Sequence, residues 1–250
     1  GQGSYRLRDL MTGEMLHDEP VEIRPQEILA WHRAEKRKVV WHGRLSQIPK
    51  EYRERANLGS ALVVALAQER YRRPNKDELK NKKDDETNYI YIDISCLPKP
   101  LPPGFFHRKG RLYSEVSGYF NKNRWLEEYG LFLAWQSLKD QADKVLVWFG
   151  TDLKTDEQGQ DEADVILVRG PKTLVIEAKA RNAGEGAGAD LHKRIRKTQR
   201  FFGSHAKVLM FHPAWKKNPP TDLKSLAGDN AYLIGSDVNA FKNAVRETLA

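Results

Sequence analysis

The stretch Asp164-Val165-Ile166-Leu167-Val168-Arg169-Gly170-Pro171-Lys172-Thr173-Leu174-Val175-Ile176-Glu177-Ala178-Lys179 decides how the chain is read. Two apolar, β-branched runs flank the turn-like spacer Arg169–Lys172, which predicts a β-hairpin. An acid opens the first run, and an acid and a lysine close the second. Residues two apart on a strand project to one face, about 6–7 Å apart. Glu177 and Lys179 therefore point together, and an adjoining antiparallel strand brings Asp164 beside them. Neighbouring carboxylates repel unless a cation offsets them. Mg²⁺ or Mn²⁺ suits such oxygen donors and keeps several waters. One of those waters serves as nucleophile while the ion offsets phosphoryl charge, and a lysine ammonium orients the water or steadies the transition state. Asp164 and Glu177 are thus the expected metal ligands and Lys179 the assisting cation, a set suited to phosphodiester hydrolysis. A lone Glu-x-Lys arises by chance in any charged chain. Here it ends an apolar strand, where polar groups need a reason. The competing view is a strand that simply runs out into solvent.

Upstream, Arg124 to about Lys139 reads as a buried helix, because Trp125, Leu126, Tyr129, Leu131, Phe132, Leu133, Ala134 and Trp135 leave little polar face. Glu127 and Glu128 lie inside it. A carboxylate there must pair, face the metal site or reach solvent; helical angles do not choose between the two, and one is expected to be an exposed helix residue. Val145–Phe149 reads as a strand. Downstream, the Gly-rich loop Asn182–Gly188 leads to a basic helix from about Asp190 to Phe202, with Leu191, Ile195, Thr198 and Phe202 for packing. Its Lys193, Arg194, Arg196, Lys197 and Arg200 form an expected phosphate-contacting stripe; such contacts position nucleic acid without reading bases. Strands are expected at Ala206–Phe211 and Ala231–Ile234, and a closing helix at Val238–Leu249. The order helix, β-meander, helix, strand, strand, helix predicts an α/β fold: a mixed sheet flanked by helices.

Toward the N-terminus, helices are expected over Val21–Lys38 and Asn57–Tyr71, a polar loop over Asn75–Asn88, and a strand from Tyr89 to Ile94. Together these predict a small helical, winged-helix-like module. Pro98–Gly104 suits neither helix nor central strand and is the expected boundary, dividing the chain into residues 1–104 and 105–250. Arg70, Arg72 and Arg73 with Tyr71 read as a solvated helix end or an auxiliary nucleic-acid surface.

Composition narrows the partners. In 250 residues, 42 Lys and Arg against 34 Asp and Glu give a formal charge of +8, which favours polyanions through counterion release. A single cysteine, Cys96, excludes an internal disulfide or a cysteine zinc cluster, so a cytoplasmic location is expected. No apolar run approaches the length of a bilayer span. Gly1-Gln2-Gly3-Ser4 does not resemble a signal peptide and reads as a tag remnant ahead of a piece of a longer chain. No Lys-Ser/Thr follows the Gly-rich loop, so it is no Walker loop.

The runs Arg124-Trp125-Leu126-Glu127-Glu128-Tyr129, Glu162-Ala163-Asp164-Val165 and Leu174-Val175-Ile176-Glu177-Ala178-Lys179 resemble the nuclease domain of CRISPR ancillary nucleases. These are PD-(D/E)xK, restriction-endonuclease-like enzymes joined to a CARF sensor and switched on by cyclic oligoadenylate. Arg200-Phe201-Phe202-Gly203-Ser204 resembles a later R-x-x-G-G-like turn of that family. The resemblance spans about Ser114 to Leu249, with a weaker echo of the sensor–nuclease junction at Glu22–His32. It implies Glu127, Asp164, Glu177 and Lys179 as the catalytic set. The metal would be held by Asp164, Glu177, the Ala178 carbonyl and Glu127. A homodimer is likewise implied. Two departures stand out: Asp161 precedes Glu162 where the family has Asn, and no CARF sensor is recognisable, so cyclic oligoadenylate control requires a sensor supplied elsewhere. The expected function is metal-dependent cleavage of DNA or RNA in CRISPR-linked antiviral defence; the rival is a non-catalytic nucleic-acid-binding module with the same fold.

Overall fold

A computed structural model describes residues 7–8, 15–17, 39–80, 87–154, 160–180, 187–216 and 218–250. The expected helix over Val21–Lys38, the junction-like Glu22–His32, the run 81–86 and most of the Gly-rich loop lie outside them.

A six-stranded mixed sheet organises the chain. Its strands are β3 (Val39–Arg44), β8 (Leu146–Lys154), β9 (Gln160–Arg169), β10 (Lys172–Ala178), β11 (Lys207–Phe211) and β12 (Ala231–Ile234), in the order β12-β11-β10-β9-β8-β3. Pairing is antiparallel from β3 to β10 and parallel among β10, β11 and β12. The expected hairpin is present as β9 and β10, and Gly170 takes φ +55° in its turn. Helix α5 (Ala187–Phe202) carries β10 over to the parallel β11. An unexpected short helix, α6 (Thr221–Ala227), does the same between β11 and β12. The two strands anticipated there are present as β11 and β12 and pair with each other, and only the helix between them was missed.

Alternation along the strands fills both faces. Val165, Leu167, Leu174, Ile176, Leu209 and Phe211 join the main core with helix α4 (Arg124–Ser137) and helix α7 (Val238–Leu249). Trp148, Ile166, Val168 and Val175 meet Phe201 and Phe202 at the end of α5, while Val208 and Met210 meet Leu191 and Ile195. Each fully buried Leu, Ile or Phe side chain contributes about 1.5–3 kcal/mol, and α4 is buried on most sides as its composition requires.

The remaining described elements are a short ribbon, three helices and a second, smaller sheet. Short ribbon strands β1 (Leu7–Arg8) and β2 (Met15–His17) pair with each other. Helices α1 (Lys50–Glu54), α2 (Ala56–Ala67) and α3 (Lys76–Leu79) precede a four-stranded antiparallel sheet of β4 (Tyr71–Arg72), β5 (Tyr89–Ile92), β7 (Arg111–Ser114) and β6 (Phe105–Arg108), in that order. Strand pairing runs across Pro98–Gly104, since β6 and β7 lie beside β5, and β3 completes the large sheet from residues 39–44. Helix α2 crosses α4 closely at Gly59, where a Cβ would sit 2.8 Å from Tyr129 Cδ2.

Candidate active site

Register brings the acids together. Val165 pairs with Ile176 in β9 and β10, so one step further along the ladder Asp164 stands opposite Glu177. The Asp164 carboxylate accepts the Ala178 backbone N–H at 2.6 Å. Both acids are buried, Asp164 9% and Glu177 2% exposed. Lys179 follows β10 and is fixed by its own N–H, which donates to the Phe211 carbonyl at 2.9 Å. Its ammonium pairs with Glu177 Oε1, and the Arg194 guanidinium lies 2.9 Å from Glu177 Oε2.

The electrostatics follow from that crowding. Burial, then the Glu177 charge, pushes the Asp164 carboxyl up to about 8, against the downward pull of Lys179, the Ala178 N–H and Arg194. Burial works against the Lys179 ammonium, but Glu177 and Asp164 outweigh it and hold its pKa above the ordinary lysine value. Glu127 is held well above the usual carboxylate range by burial, then by Asp164 and Glu162.

The two helix acids separate clearly. Glu128 is 3% exposed and bound through both oxygens to Arg55, at 2.9 and 3.0 Å. Burial still pushes its carboxyl up to about 7, against Arg55. Glu127 faces the other way and feels Asp164, Glu162 and Glu177. Neither is the exposed helix residue that the sequence suggested. Arg55 lies far from Glu128 in the chain, so no helix periodicity could show their pairing.

Two openings reach these groups. One is a cleft lined by Glu177, Lys179, Asp190, Lys193, Arg194, Lys197 and Met210. The other holds Glu127 and Glu162 beside Lys122 and Arg124, near Gly150. Gly150 has φ +58°, and a Cβ there would meet Val40 Cγ2 at 2.6 Å, so only glycine lets β3 and β8 run together at this point. Of the expected phosphate stripe, Lys193, Arg194 and Lys197 line the first cleft, whereas Arg196 and Arg200 are exposed along α5. The pairing of Arg194 with an acid and the place of Asp190 in the cleft were not anticipated, and Glu162, quoted in the Glu162–Val165 run, was not counted among the site residues. Glu162 was signalled by its place two residues before Asp164 on one strand. Gly203 ends α5 at φ +88°, where the turn resembling R-x-x-G-G was read.

Donor chemistry tests whether a divalent cation suits this arrangement. Asp164 and Glu177 offer hard carboxylate oxygens, and a cation between them would reverse the repulsion that raises Asp164. Among the described residues, no three of His, Cys, Asp and Glu form a ready metal-binding group. Mg²⁺ commonly takes only one or two carboxylates and keeps water for the rest, so Asp164 and Glu177 fit it as a water-rich pair.

No protein-family model and no curated protein matches the chain. Solved structures do share its fold. Can2 from Sulfobacillus thermosulfidooxidans, solved in complex with cyclic tetra-adenylate, superposes with a TM-score of 0.53 at 16% identity, over 99% of this chain and 67% of that one. Protein VC1899 from Vibrio cholerae gives a TM-score of 0.50 at 17% identity, over 82% of this chain and 56% of that one. The chain thus spans little more than half of VC1899, and what it shares with both is the fold.

Proposed function

We propose that the chain is a metal-dependent endonuclease that hydrolyses phosphodiester bonds of DNA or RNA. The observation that carries this reading is the pairing of Asp164 with Glu177 in register, with Glu177 and Lys179 lining a cleft walled by Lys193, Arg194 and Lys197. Bound Mg²⁺ or Mn²⁺ would supply an activated water and charge compensation on the scissile phosphate. Asp164 and Glu177 would hold the ion, with the Ala178 carbonyl and Glu127 as further donors. Lys179 gives the incoming water or the developing negative charge a cation that stays protonated. Lys193 and Lys197 seat the phosphate backbone, and Arg196 and Arg200 extend the basic surface along α5.

The fold shared with Can2, a protein solved with a cyclic oligoadenylate, supports the resemblance to CRISPR ancillary nucleases. Under this reading the enzyme serves antiviral defence in the cytoplasm as a homodimer, and cyclic oligoadenylate acts on it where a sensor region is joined. Among the described residues, no helix is long and apolar enough to cross a membrane.

One observation favours the rival. Glu177 is already held by Lys179 and Arg194, as in a fold kept only for docking nucleic acid. Incubation with plasmid and single-stranded substrates in Mn²⁺ or EDTA separates the two. The proposal expects cutting that needs metal and disappears in Glu177→Ala. Salt-sensitive binding without cutting under any metal would establish the rival.

A further inference from the structure

The outer face of the four-stranded sheet is made of aromatic rings and arginines. Its inner face is conventional: Tyr71, Ile90, Ile92, Phe105 and Leu112 enter the main core. The outward residues fall into two cross-strand rows. One row runs Arg72, Tyr91, Arg111, Arg108, each opposite the next in register. The other runs from Tyr89, itself only 1% exposed, through Tyr113 to Phe106. Phe106 and Tyr113 lie parallel, with ring centroids 5.0 Å apart and planes 6° from each other, and Phe106 is 47% exposed. Arg111 sits 5.0 Å over both Tyr89 and Tyr91, and Arg72 is 3.8 Å over Tyr91.

Two features of this face point to an anionic partner with flat rings. Arg108 and Arg111 stand directly opposite each other at the hairpin end, a like-charge pair that costs stability unless an anion offsets it. Phe106, although it lies parallel to Tyr113, keeps 47% of its surface open and offers a ring on which a further flat group can stack. Among the described acids near the face, Glu78 is held by Arg72 and by the Tyr91 hydroxyl at 2.6 Å, and Glu115 follows Tyr113 away from the hairpin turn, so the Arg108–Arg111 end is positive. Adjacent rows of aromatic rings and arginines match the alternation of base and phosphate along an unpaired strand. A duplex hides its base faces and would meet only the arginines.

We propose that this sheet face is a second nucleic-acid site, which binds single strands by stacking bases on Phe106 and Tyr113 while Arg108 and Arg111 take the phosphates. It is independent of metal and of the Asp164–Glu177 pair, so it stands or falls apart from the endonuclease reading.

The test is fluorescence anisotropy of the full chain in EDTA, with labelled oligo-dT, oligo-rU, duplex DNA and polyglutamate. The site expects single strands to bind more tightly than duplex. The tighter of the dT and rU arms names the sugar. Phe106→Ala should weaken single-strand binding about fivefold or more, and Arg108→Gln should lower the slope of log affinity against log salt by about 0.7. Melting temperatures near that of the parent establish that these surface variants fold. Photocrosslinking with 5-iodouracil distinguishes this face from the α5 cleft: adducts are expected on peptides holding residues 105–114. Adducts confined to residues 187–202, unchanged affinity in both variants, or preference for duplex or polyglutamate would overturn the proposal.

Discussion

Replacing Asp164 with asparagine should change how stability of the metal-free protein depends on pH. Burial and Glu177 raise this carboxyl from its ordinary 3.8 to about 8. A carboxyl raised on folding holds its proton more tightly in the native state. Its stabilising contribution is complete below about pH 4 and is lost as pH climbs toward 8. At about 1.4 kcal/mol per pH unit, that interval sets a ceiling of about 6 kcal/mol. Interaction with the neighbouring Glu177 charge broadens this titration, and only part of it falls between pH 5 and pH 8, so the expected share there is about 2–3 kcal/mol. For a chain of this size each kcal/mol moves the melting temperature by about 2–4 °C. Thermal melts in EDTA from pH 5 to pH 8 should therefore show the parent losing about 5–10 °C. Asp164→Asn keeps an oxygen for the Ala178 N–H but has nothing to ionise, so its loss should be several degrees smaller. A residual slope remains, because Glu127 and Glu128 are raised with the same sign. Parallel melting curves for parent and variant across this range would refute the burial argument for Asp164.

Arg55→Leu should destabilise the fold by about 3–5 kcal/mol in urea titrations, since it leaves Glu128 buried without its bidentate partner; a loss below about 1 kcal/mol would show the pair to be dispensable. Gly59→Ala places a methyl 2.8 Å from the Tyr129 ring and should cost about 1–3 kcal/mol by the same method. Lys193→Gln with Lys197→Gln should weaken binding to duplex and single-stranded substrates alike and flatten the salt dependence, whereas a change confined to one sequence would assign these lysines to base reading.

Much of the sheet's centre was legible because its signals are local. The 164–179 hairpin announces itself by a turn between two apolar runs, and α5 by Leu191, Ile195 and Thr198 on one side with cations on the other. What escaped depends on contacts between distant segments. Strand β3 has little local signature and acquires its place by pairing with β8, about a hundred residues later. The β6–β7 hairpin turns at Lys109-Gly110, both at positive φ; the usual Asn-Gly or Asp-Gly signal for such a turn is missing. The choice between Glu127 and Glu128 rested on Arg55, and the role of Arg194 on the way α5 leans over β10. The carboxylates and Lys179 were readable together, while the pairing of Arg194 with Glu177 was not.

The central claim, that Asp164 and Glu177 share one divalent cation, is met most directly by titrating Mn²⁺ calorimetrically into the parent, Asp164→Asn and Glu177→Gln. The parent should give a saturable isotherm, and each variant should lose at least about tenfold in affinity. Equal affinity in all of them, or no binding to the parent, would contradict it.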